Sequence, residues 1–167
     1  MKIRREAEGD IPAIREVNRR AFNGEDEARI VDDLRSGGYA RLSLVAEEGG
    51  RIVGHIMFSE AVIRTERGEV AALVLGPVAV IPERQGHGIG SALVREGLDQ
   101  CGKALYRSVF LLGIPDYYPR FGFSADLAGN LSSAYSGEAF MALELVPGAL
   151  AGVTGEFELA PPFEAAS

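Results

Sequence analysis

The chain has 167 residues, of which 47% are hydrophobic and 25% are charged, and its formal net charge is −7 at pH 7. This length and composition are typical of one globular domain with its own core, and no apolar run approaches the roughly 18 residues of a membrane span. The acidic balance argues against nonspecific nucleic-acid binding, which needs a cationic surface.

The N-terminus and the cysteine count bear on compartment and metal chemistry. The residues after Met1 turn polar at once and lack the apolar core of a signal peptide. One cysteine, Cys101, excludes an internal disulfide and suits a reducing compartment. The two histidines, His55 and His87, lie far apart in sequence, with no cysteine cluster to complete a zinc site. We therefore expect a cytoplasmic protein that uses no metal and contacts neither nucleic acid nor membrane.

Residues 1–62 predict a strand, two amphipathic helices and a β-hairpin. Asp10 and Pro12 mark a helix start, as N-cap and first-turn proline, and Asn23-Gly24 ends that helix. A tight turn at Glu48-Gly49-Gly50 joins the two hairpin strands. The remaining predicted elements here are a strand at Lys2–Arg5, a second helix at about 26–35, and strands at 42–47 and 51–62.

The second hairpin strand mixes apolar and polar residues on both faces, which indicates a central strand. His55 shares one face with Val53, Met57 and Ser59. We expect a hydrogen-bonded structural histidine there rather than a ligand or a proton carrier.

Residues 73–97 are an apolar run, a glycine-rich loop and an amphipathic helix. The run ends a predicted strand at 69–80 that Gly76-Pro77 interrupts. Because proline cannot donate to a ladder, we expect strand pairing to lapse or bulge there. Helical spacing is shown by the apolar residues Ile89, Leu93, Val94, Leu98 and Cys101, so we expect Cys101 in the core.

Gly86, Gly88 and Gly90 alternate in the loop before that helix. A glycine loop at a helix N-terminus makes an anion site, because backbone N–H groups and the helix dipole face the ligand. No lysine follows as in a Walker loop, and the dinucleotide fingerprint is missed by one residue. Taken alone, residues 85–90 leave two alternatives open, a ligand-binding loop or an ordinary strand-to-helix turn.

The C-terminal third predicts two strands around a proline-rich segment. Within residues 113–123 we expect Pro115 to open a short helix, Pro119 to limit it and Gly122 to mark a bend. The other elements expected are a strand at Ser108–Leu112, a strand at 139–146, and a C-terminal arm or hairpin at 147–167.

Two motifs in this order resemble those of the GNAT superfamily of N-acetyltransferases. The first, Gln85-Gly86-His87-Gly88-Ile89-Gly90, is similar to the Gln/Arg-x-x-Gly-x-Gly loop that holds the coenzyme A pyrophosphate. The second, Tyr118-Pro119-Arg120-Phe121-Gly122-Phe123, resembles the Tyr-x-x-x-Gly-Phe segment after the fifth strand. The element order of residues 1–146 also matches, and the chain looks like a group of uncharacterised bacterial members.

The resemblance implies a fold and a domain organisation. The fold is α/β (α+β), with a mixed, mostly antiparallel sheet of about six to seven strands, splayed near its middle, and helices on both faces. Residues 1–167 would form a single N-acetyltransferase domain. The interruption at Gly76-Pro77 would account for the splay.

The resemblance also implies acetyl-CoA as acyl donor and a set of binding residues. Strand backbone would pair with pantetheine, loop N–H groups would hold the pyrophosphate, and Arg84 would add positive charge. The implied cofactor-binding residues are Val78, Ala79, Val80, Arg84, Gln85, Gly86, His87, Gly88, Ile89, Gly90 and Ser91.

By the same resemblance, a neutral primary amine would attack the thioester directly and Tyr118 would protonate the departing thiolate. A strand N–H near Val78 would stabilise the oxyanion. A buried aromatic without a catalytic role remains the alternative for Tyr118. The base is not assigned, because residues 71–80 contain no acid; water, Glu47 and His55 stay open. For Glu25-Asp26-Glu27 we favour a solvated charge run over a rim that attracts the amine.

These features favour an acetyl-CoA-dependent N-acetyltransferase acting on a small-molecule, protein or peptide amine. The alternative is a non-catalytic acyl-CoA-binding or sensing module, and the glycine spacing disfavours a nucleotide-binding domain. The sequence leaves open the acceptor, the length of the acyl group and the oligomeric state, with a homodimer among the alternatives.

Overall fold

The computed structural model describes residues 1–135 and 137–165, so the last two residues of the predicted C-terminal arm lie outside it. The described strands are β1 (Lys2–Arg5), β2 (Ala40–Glu48), β3 (Arg51–Thr65), β4 (Gly68–Val80), β5 (Ser108–Leu112), β6 (Leu131–Ser132), β7 (Phe140–Glu144) and β8 (Gly155–Leu159). The described α-helices are α1 (Ile11–Phe22), α2 (Asp26–Ser36), α3 (Ile89–Lys103), α4 (Ala125–Ala128) and α5 (Pro161–Ala165). None of the helices in these ranges is both long and apolar enough to span a membrane.

The strands form one mixed sheet in the order β1-β2-β3-β4-β5-β7, with β8 beside β3 and β6 beside β8. Pairing is antiparallel for β1–β2, β2–β3, β3–β8 and β5–β7, and parallel for β4–β5 and β6–β8. The mixed, mostly antiparallel sheet is thus confirmed, with eight strands rather than six to seven. The additional strands are β6, which is too short to show a period, and β8, which lies in the segment predicted as an arm or hairpin.

The chain divides into two compact units. The first comprises Met1–Ser59, Gly76–Asp99 and the chain from Ala160 on, and the second comprises Glu60–Leu75 and Gln100–Leu159. Each unit is described separately below.

The first unit contains the elements predicted for the N-terminal part of the chain. Helix α1 begins after Asp10 and ends at Asn23, whose φ of 53° is left-handed. The Asp10 side chain, however, does not cap the helix as predicted. It accepts the Ala7 backbone N–H at 2.6 Å and pairs with Arg4 at 2.7 Å, which ties β1 to the start of the helix.

The β2–β3 hairpin turns at Gly49 and Gly50, as predicted. Both have left-handed φ values, 56° and 77°, which a two-residue type I′ turn requires. From residue 52 to 59 every side chain of β3 is buried, so both faces are covered. This confirms the prediction that β3 is a central strand.

Helix α3 packs on β3 through two glycines of the first unit. A Cβ on Gly54 of β3 would lie 3.1 Å from side-chain carbons of Ile89 and Leu93. On the helix, a Cβ on Gly97 would lie 2.3 Å and 2.6 Å from ring atoms of Phe58. Close approach therefore depends on a missing side chain on each element.

Replacing Gly97 by alanine is expected to destabilise the protein by about 1–3 kcal/mol, because the fully buried Phe58 ring must move. Gly102→Ala in the same helix is the matched control, since nothing lies within 4 Å of its added Cβ. The control should be neutral or up to about 1 kcal/mol more stable, from helix propensity. Urea unfolding measures both, and equal stability of the two variants would contradict the packing argument.

The second unit is built on β5, which pairs with β7 over its whole length. Phe110 of β5 packs against Phe140 and Phe157, with ring centroids 5.6 Å and 4.6 Å away. The parallel pairs of β4 with β5 are Leu73–Val109 and Val74–Phe110. These aromatic rings fill the interior of the unit.

Strand β4 spans Gly76-Pro77, but its backbone departs from regular strand geometry there, since Gly76 has a φ of 144° and the Gly76–Pro77 peptide bond is cis. The β4–β5 pairs, Leu73–Val109 and Val74–Phe110, end before this point.

One proline prediction needs correction. Downstream, Pro119 does not limit a helix opened by Pro115. It lies in the first turn of a 3₁₀-helix at Tyr118–Phe121, where a missing N–H costs nothing. Gly122, with φ of 103°, ends that helix at the predicted bend.

Candidate functional site

The predicted anion loop joins β4 to α3 within the first unit. A 3₁₀-helix at Pro82–Arg84 is followed by Gly86 and Gly88, whose left-handed φ values of 78° and 81° favour glycine. The Ala92 N–H donates to the Gly88 carbonyl at 3.0 Å, which begins the helical ladder of α3. The N–H groups of the first turn have no acceptor within the helix, so the loop presents donors and a positive dipole end.

Two side chains fix the shape of this loop. The Gln85 side-chain amide donates to the Val80 carbonyl at 2.9 Å, which holds the loop against the end of β4. The His87 Nδ1 lies 2.9 Å from the Gln85 carbonyl and 3.2 Å from the Arg84 carbonyl. Because a carbonyl oxygen can only accept, Nδ1 carries the ring hydrogen that is donated to these carbonyls. The other ring nitrogen, Nε2, takes no part in these hydrogen bonds. The loop is therefore braced by its own polar residues.

The last residues of β4 lie against the start of α3. A Cβ on Gly90 would lie 3.9 Å from Val78 and 3.8 Å from Val80, which is ordinary contact. Ala79, between them, is 1% exposed. The structure thus brings Val78–Val80 and the loop residues together, and the Val80 carbonyl accepts a hydrogen bond from the Gln85 side chain.

Arg84 has a partner that the sequence did not reveal. Its guanidinium makes a bidentate pair with Glu48, with Nε and Nη2 at 2.8 Å and 2.9 Å from the carboxylate oxygens. The Arg84 side chain therefore joins the loop to the β2–β3 hairpin. No local sequence pattern predicts an ion pair between two residues that are 36 positions apart.

The neighbouring Glu83 is also held by charge. It accepts from Arg20 of α1 at 2.5 Å and from Arg51 of β3 at 3.2 Å. The hydrogen bond from Arg20, with further interactions that include Arg51, lowers the pKa of the Glu83 carboxyl to about 2. These pairs connect the start of the loop to a helix and a strand far away in sequence.

Tyr118 lies in the second unit, at the start of the 3₁₀-helix after β5. Its half-buried ring meets Tyr117 edge-on with centroids 5.0 Å apart, and Phe123 at 6.1 Å. Burial, and to a lesser extent Tyr117, raises the pKa of the Tyr118 phenol above its usual value. The phenol therefore stays protonated across the physiological range, as an acid must before it acts.

His55, a candidate base, is instead enclosed in a buried hydrogen-bond network of the first unit. Its Nε2 lies 2.9 Å from the Ser43 hydroxyl and its Nδ1 lies 3.2 Å from the Asn18 amide nitrogen. Ser43 donates its proton to the Glu6 carboxylate, which in turn accepts from Arg35 at 2.8 Å and 2.9 Å. The prediction of a hydrogen-bonded structural histidine is confirmed.

The donors of this network fix the His55 tautomer. Because Ser43 gives its only proton to Glu6, its oxygen accepts from His55 Nε2–H. His55 Nδ1 then accepts from Asn18, whose amide also donates to the Ile14 carbonyl at 3.0 Å. Burial lowers the pKa of His55 to about 4, with Arg35 adding to the effect and Glu6 opposing it.

Glu47 and Glu25, two of the other acidic candidates, are ion-paired. Glu47 accepts from Arg4 at 3.0 Å. Between α1 and α2, Glu25 pairs with exposed Arg19 at 2.8 Å.

Cys101 is 1% exposed, which confirms its core role. Within 1–135 and 137–165, no three His, Cys, Asp or Glu side chains cluster in a way that could hold a metal ion.

Comparison with known proteins identifies the family. The Acetyltransferase (GNAT) domain model matches residues 2–125. The uncharacterized N-acetyltransferase YhbS of Escherichia coli K12 is 37% identical over 161 residues, which cover 95% of each chain.

Two crystal structures agree over nearly the whole chain. The GNAT family N-acetyltransferase YhbS from Escherichia coli, in complex with CoA, has a TM-score of 0.90 at 35% identity and covers 98% of this chain and 91% of that one. A GNAT family acetyltransferase from Brucella melitensis, in complex with acetyl-CoA, has a TM-score of 0.82 at 39% identity and covers 97% of each chain. The chain therefore belongs to the GNAT family of acetyltransferases.

Proposed function

We propose that residues 1–167 act as one acetyl-CoA-dependent N-acetyltransferase domain, which moves an acetyl group to a primary amine by direct attack on the thioester. The observation that carries the proposal is the loop before α3. Gly86 and Gly88 adopt left-handed φ values there and lead straight into the N-terminus of a 15-residue helix. Such a loop recognises a pyrophosphate through backbone donors.

The relatives support coenzyme A as the carrier of that pyrophosphate. The YhbS structure from Escherichia coli is a complex with CoA, and the Brucella melitensis structure is a complex with acetyl-CoA. In this chain the backbone of residues 85–91 would bind the pyrophosphate and that of Val78–Val80 would pair with pantetheine. Arg84 binds Glu48 through Nε and Nη2, so a phosphate would be reached by the remaining guanidinium N–H groups.

Tyr118 is proposed as the general acid of the transfer. The neutral amine nitrogen forms a bond to the thioester carbon, the carbon–sulfur bond breaks, and Tyr118 gives its phenolic proton to the departing sulfur. The proton lost by the amine goes to solvent or to a base. A raised phenol pKa keeps Tyr118 protonated until the thiolate forms.

Thiol release from acetyl-CoA, followed with and without a panel of primary amines, tests the proposal. The panel contains polyamines, amino acids and peptides with a free N-terminus or lysine, and mass spectrometry of the products locates the acetyl group. Release that depends on an amine and yields the acetylated amine supports the proposal. Tight acetyl-CoA binding without turnover on any of these amines would favour the non-catalytic binding module instead.

Gly88→Val is expected to weaken acetyl-CoA binding by at least about tenfold. A branched side chain is strained at a φ of 81°, and it would occupy the open space beside the loop backbone. Gly102→Ala, in α3 and also in open space but without a positive φ, is the control and should bind normally. Titration calorimetry measures both dissociation constants, and unchanged affinity in Gly88→Val would place the donor elsewhere.

A further inference from the structure

Gly113, directly after β5, lies against the ring of Tyr118. Its backbone N–H donates to the Ala139 carbonyl at 3.0 Å, so the residue is fixed to the turn directly before β7. An added Cβ would lie 2.4 Å from Tyr118 Cε2 and 2.7 Å from Cδ2. Real Cβ contacts are essentially never that short, so the Tyr118 ring occupies the space of a side chain at Gly113.

The requirement for glycine at this position is steric. The φ of Gly113 is not positive, so its backbone conformation would accept alanine. The three atoms nearest to the missing side chain are the two ring carbons of Tyr118 and, at 3.1 Å, a methyl carbon of Leu111. Any substituent at Gly113 therefore acts first on Tyr118.

Aromatic neighbours limit where the Tyr118 ring can go. Tyr117 meets it edge-on at 5.0 Å, Phe123 edge-on at 6.1 Å, and Phe121 at 6.2 Å. A ring pushed away from Gly113 must displace one of these side chains or turn toward solvent. The position of the Tyr118 ring is thus limited by the Gly113 backbone on one side and by these aromatic rings on the others.

We propose that Gly113 is a positioning residue for the acyl transfer, which sets the location of the Tyr118 phenol by presenting bare backbone to its ring. This inference rests on the proposed role of Tyr118 as general acid. Misplacing a catalytic group by about 1 Å can cost about 10²-fold in rate, so a displacement of this size matters for chemistry more than for folding.

The test is a double-mutant cycle on kcat, with acetyl-CoA and amine saturating. Gly113→Ala should lower kcat by about tenfold or more and leave the acetyl-CoA dissociation constant within about twofold. In a Tyr118→Phe background the same substitution should cause no further loss, because the hydroxyl that it misplaces is already gone. A full additional loss in that background would show that Gly113 acts independently of Tyr118 and would overturn the proposal.

A pH profile provides a readout that a merely structural role would not move. Burial raises the phenol pKa, so a ring turned toward water should titrate at lower pH. The alkaline limb of kcat should therefore shift to lower pH in Gly113→Ala. A slower enzyme with an unshifted limb would count against a ring that turns toward water.

The outcomes separate this inference from the proposed function. Unchanged kcat in Tyr118→Phe would remove the acid role, and the positioning role with it. A slow Tyr118→Phe beside a fully active Gly113→Ala would overturn the positioning role alone. If Gly113→Ala folds poorly, its effect is measured in a Tyr118→Ala background, where the methyl group has no ring to strike. If the double variant is as stable as Tyr118→Ala alone, the contact between Gly113 and the Tyr118 ring is supported. If the double variant is less stable, that contact is contradicted.

Discussion

Tyr118→Phe is expected to lower kcat for acetyl transfer by about 10²-fold or more, while acetyl-CoA still binds with its normal affinity. A positioned general acid contributes about 10²–10⁴-fold, and phenylalanine keeps the ring while it removes the proton. The ring contacts with Tyr117, Phe121 and Phe123 need no hydroxyl, so the fold should not change. Steady-state kinetics at saturating amine, with calorimetric binding of acetyl-CoA, measures both quantities.

Tyr117→Phe is the matched control, because the two tyrosines are adjacent and their rings touch. The Tyr117 ring lies under the Arg120 guanidinium, 4.3 Å from its centroid, and that contact needs no hydroxyl either. Tyr117→Phe should therefore keep most of its activity. The reverse result, a slow Tyr117→Phe beside a normal Tyr118→Phe, would transfer the acid role to the neighbouring residue.

The glycine loop, the helix after it and the β2–β3 hairpin could be predicted because their signals are local. Spacing alone singles out Gly86, Gly88 and Gly90; the first two have left-handed φ values, and Gly90 lies in the first turn of α3. The helix after them follows from apolar spacing, and the hairpin follows from Gly49-Gly50. In each case the residues that determine the geometry are within a few positions of one another.

The bracing of the loop could not be predicted, because it depends on distant partners. The Arg84–Glu48 pair and the pairs that Glu83 makes with Arg20 and Arg51 join residues that are separated by 32 to 63 positions. In a sequence, a surface arginine or glutamate looks the same whatever partner it has in the fold. The resemblance implies Arg84 as a phosphate ligand but gives no sign of the Glu48 carboxylate that it contacts.

Shape complementarity was equally invisible in the sequence. Gly97 and Gly113 look like ordinary glycines, and neither was singled out. Their importance appears only when the rings of Phe58 and Tyr118 are found in the space of the missing side chains. A glycine that is required for close packing has no local signature, unlike one that is required for a turn.

The buried His55 network predicts a pH-dependent stability. The folded-state pKa of about 4 lies below the usual 6.5, because burial disfavours the charged ring. Between these values the unfolded chain binds a proton that the folded protein does not, so unfolding is favoured as pH falls. The contribution is fully present above about pH 6.5 and is lost as pH decreases toward 4.

The hydrogen bonds explain why the folded protein resists this protonation. A proton on Nδ1 would face the Asn18 amide hydrogens, and turning that amide would break its bond to the Ile14 carbonyl. Glu6 carries a negative charge beside the network but is neutralised by Arg35. Burial raises the pKa of the Glu6 carboxyl, yet hydrogen bonds from Arg35 and Ser43 outweigh it, so the pKa is lowered. Glu6 therefore titrates below its usual range.

Stability against urea should fall by about 2 kcal/mol between about pH 7.5 and about pH 5 in the wild-type protein through His55 alone. His55→Gln should lose this part of the decrease, because its side chain cannot titrate. His87→Gln is the matched control: it removes the only other histidine, which is exposed on the loop, and should keep the wild-type pH dependence. A His55→Gln variant with an unchanged fall would assign the effect to other groups, and an equal flattening in His87→Gln would show that burial of the ring is not its cause.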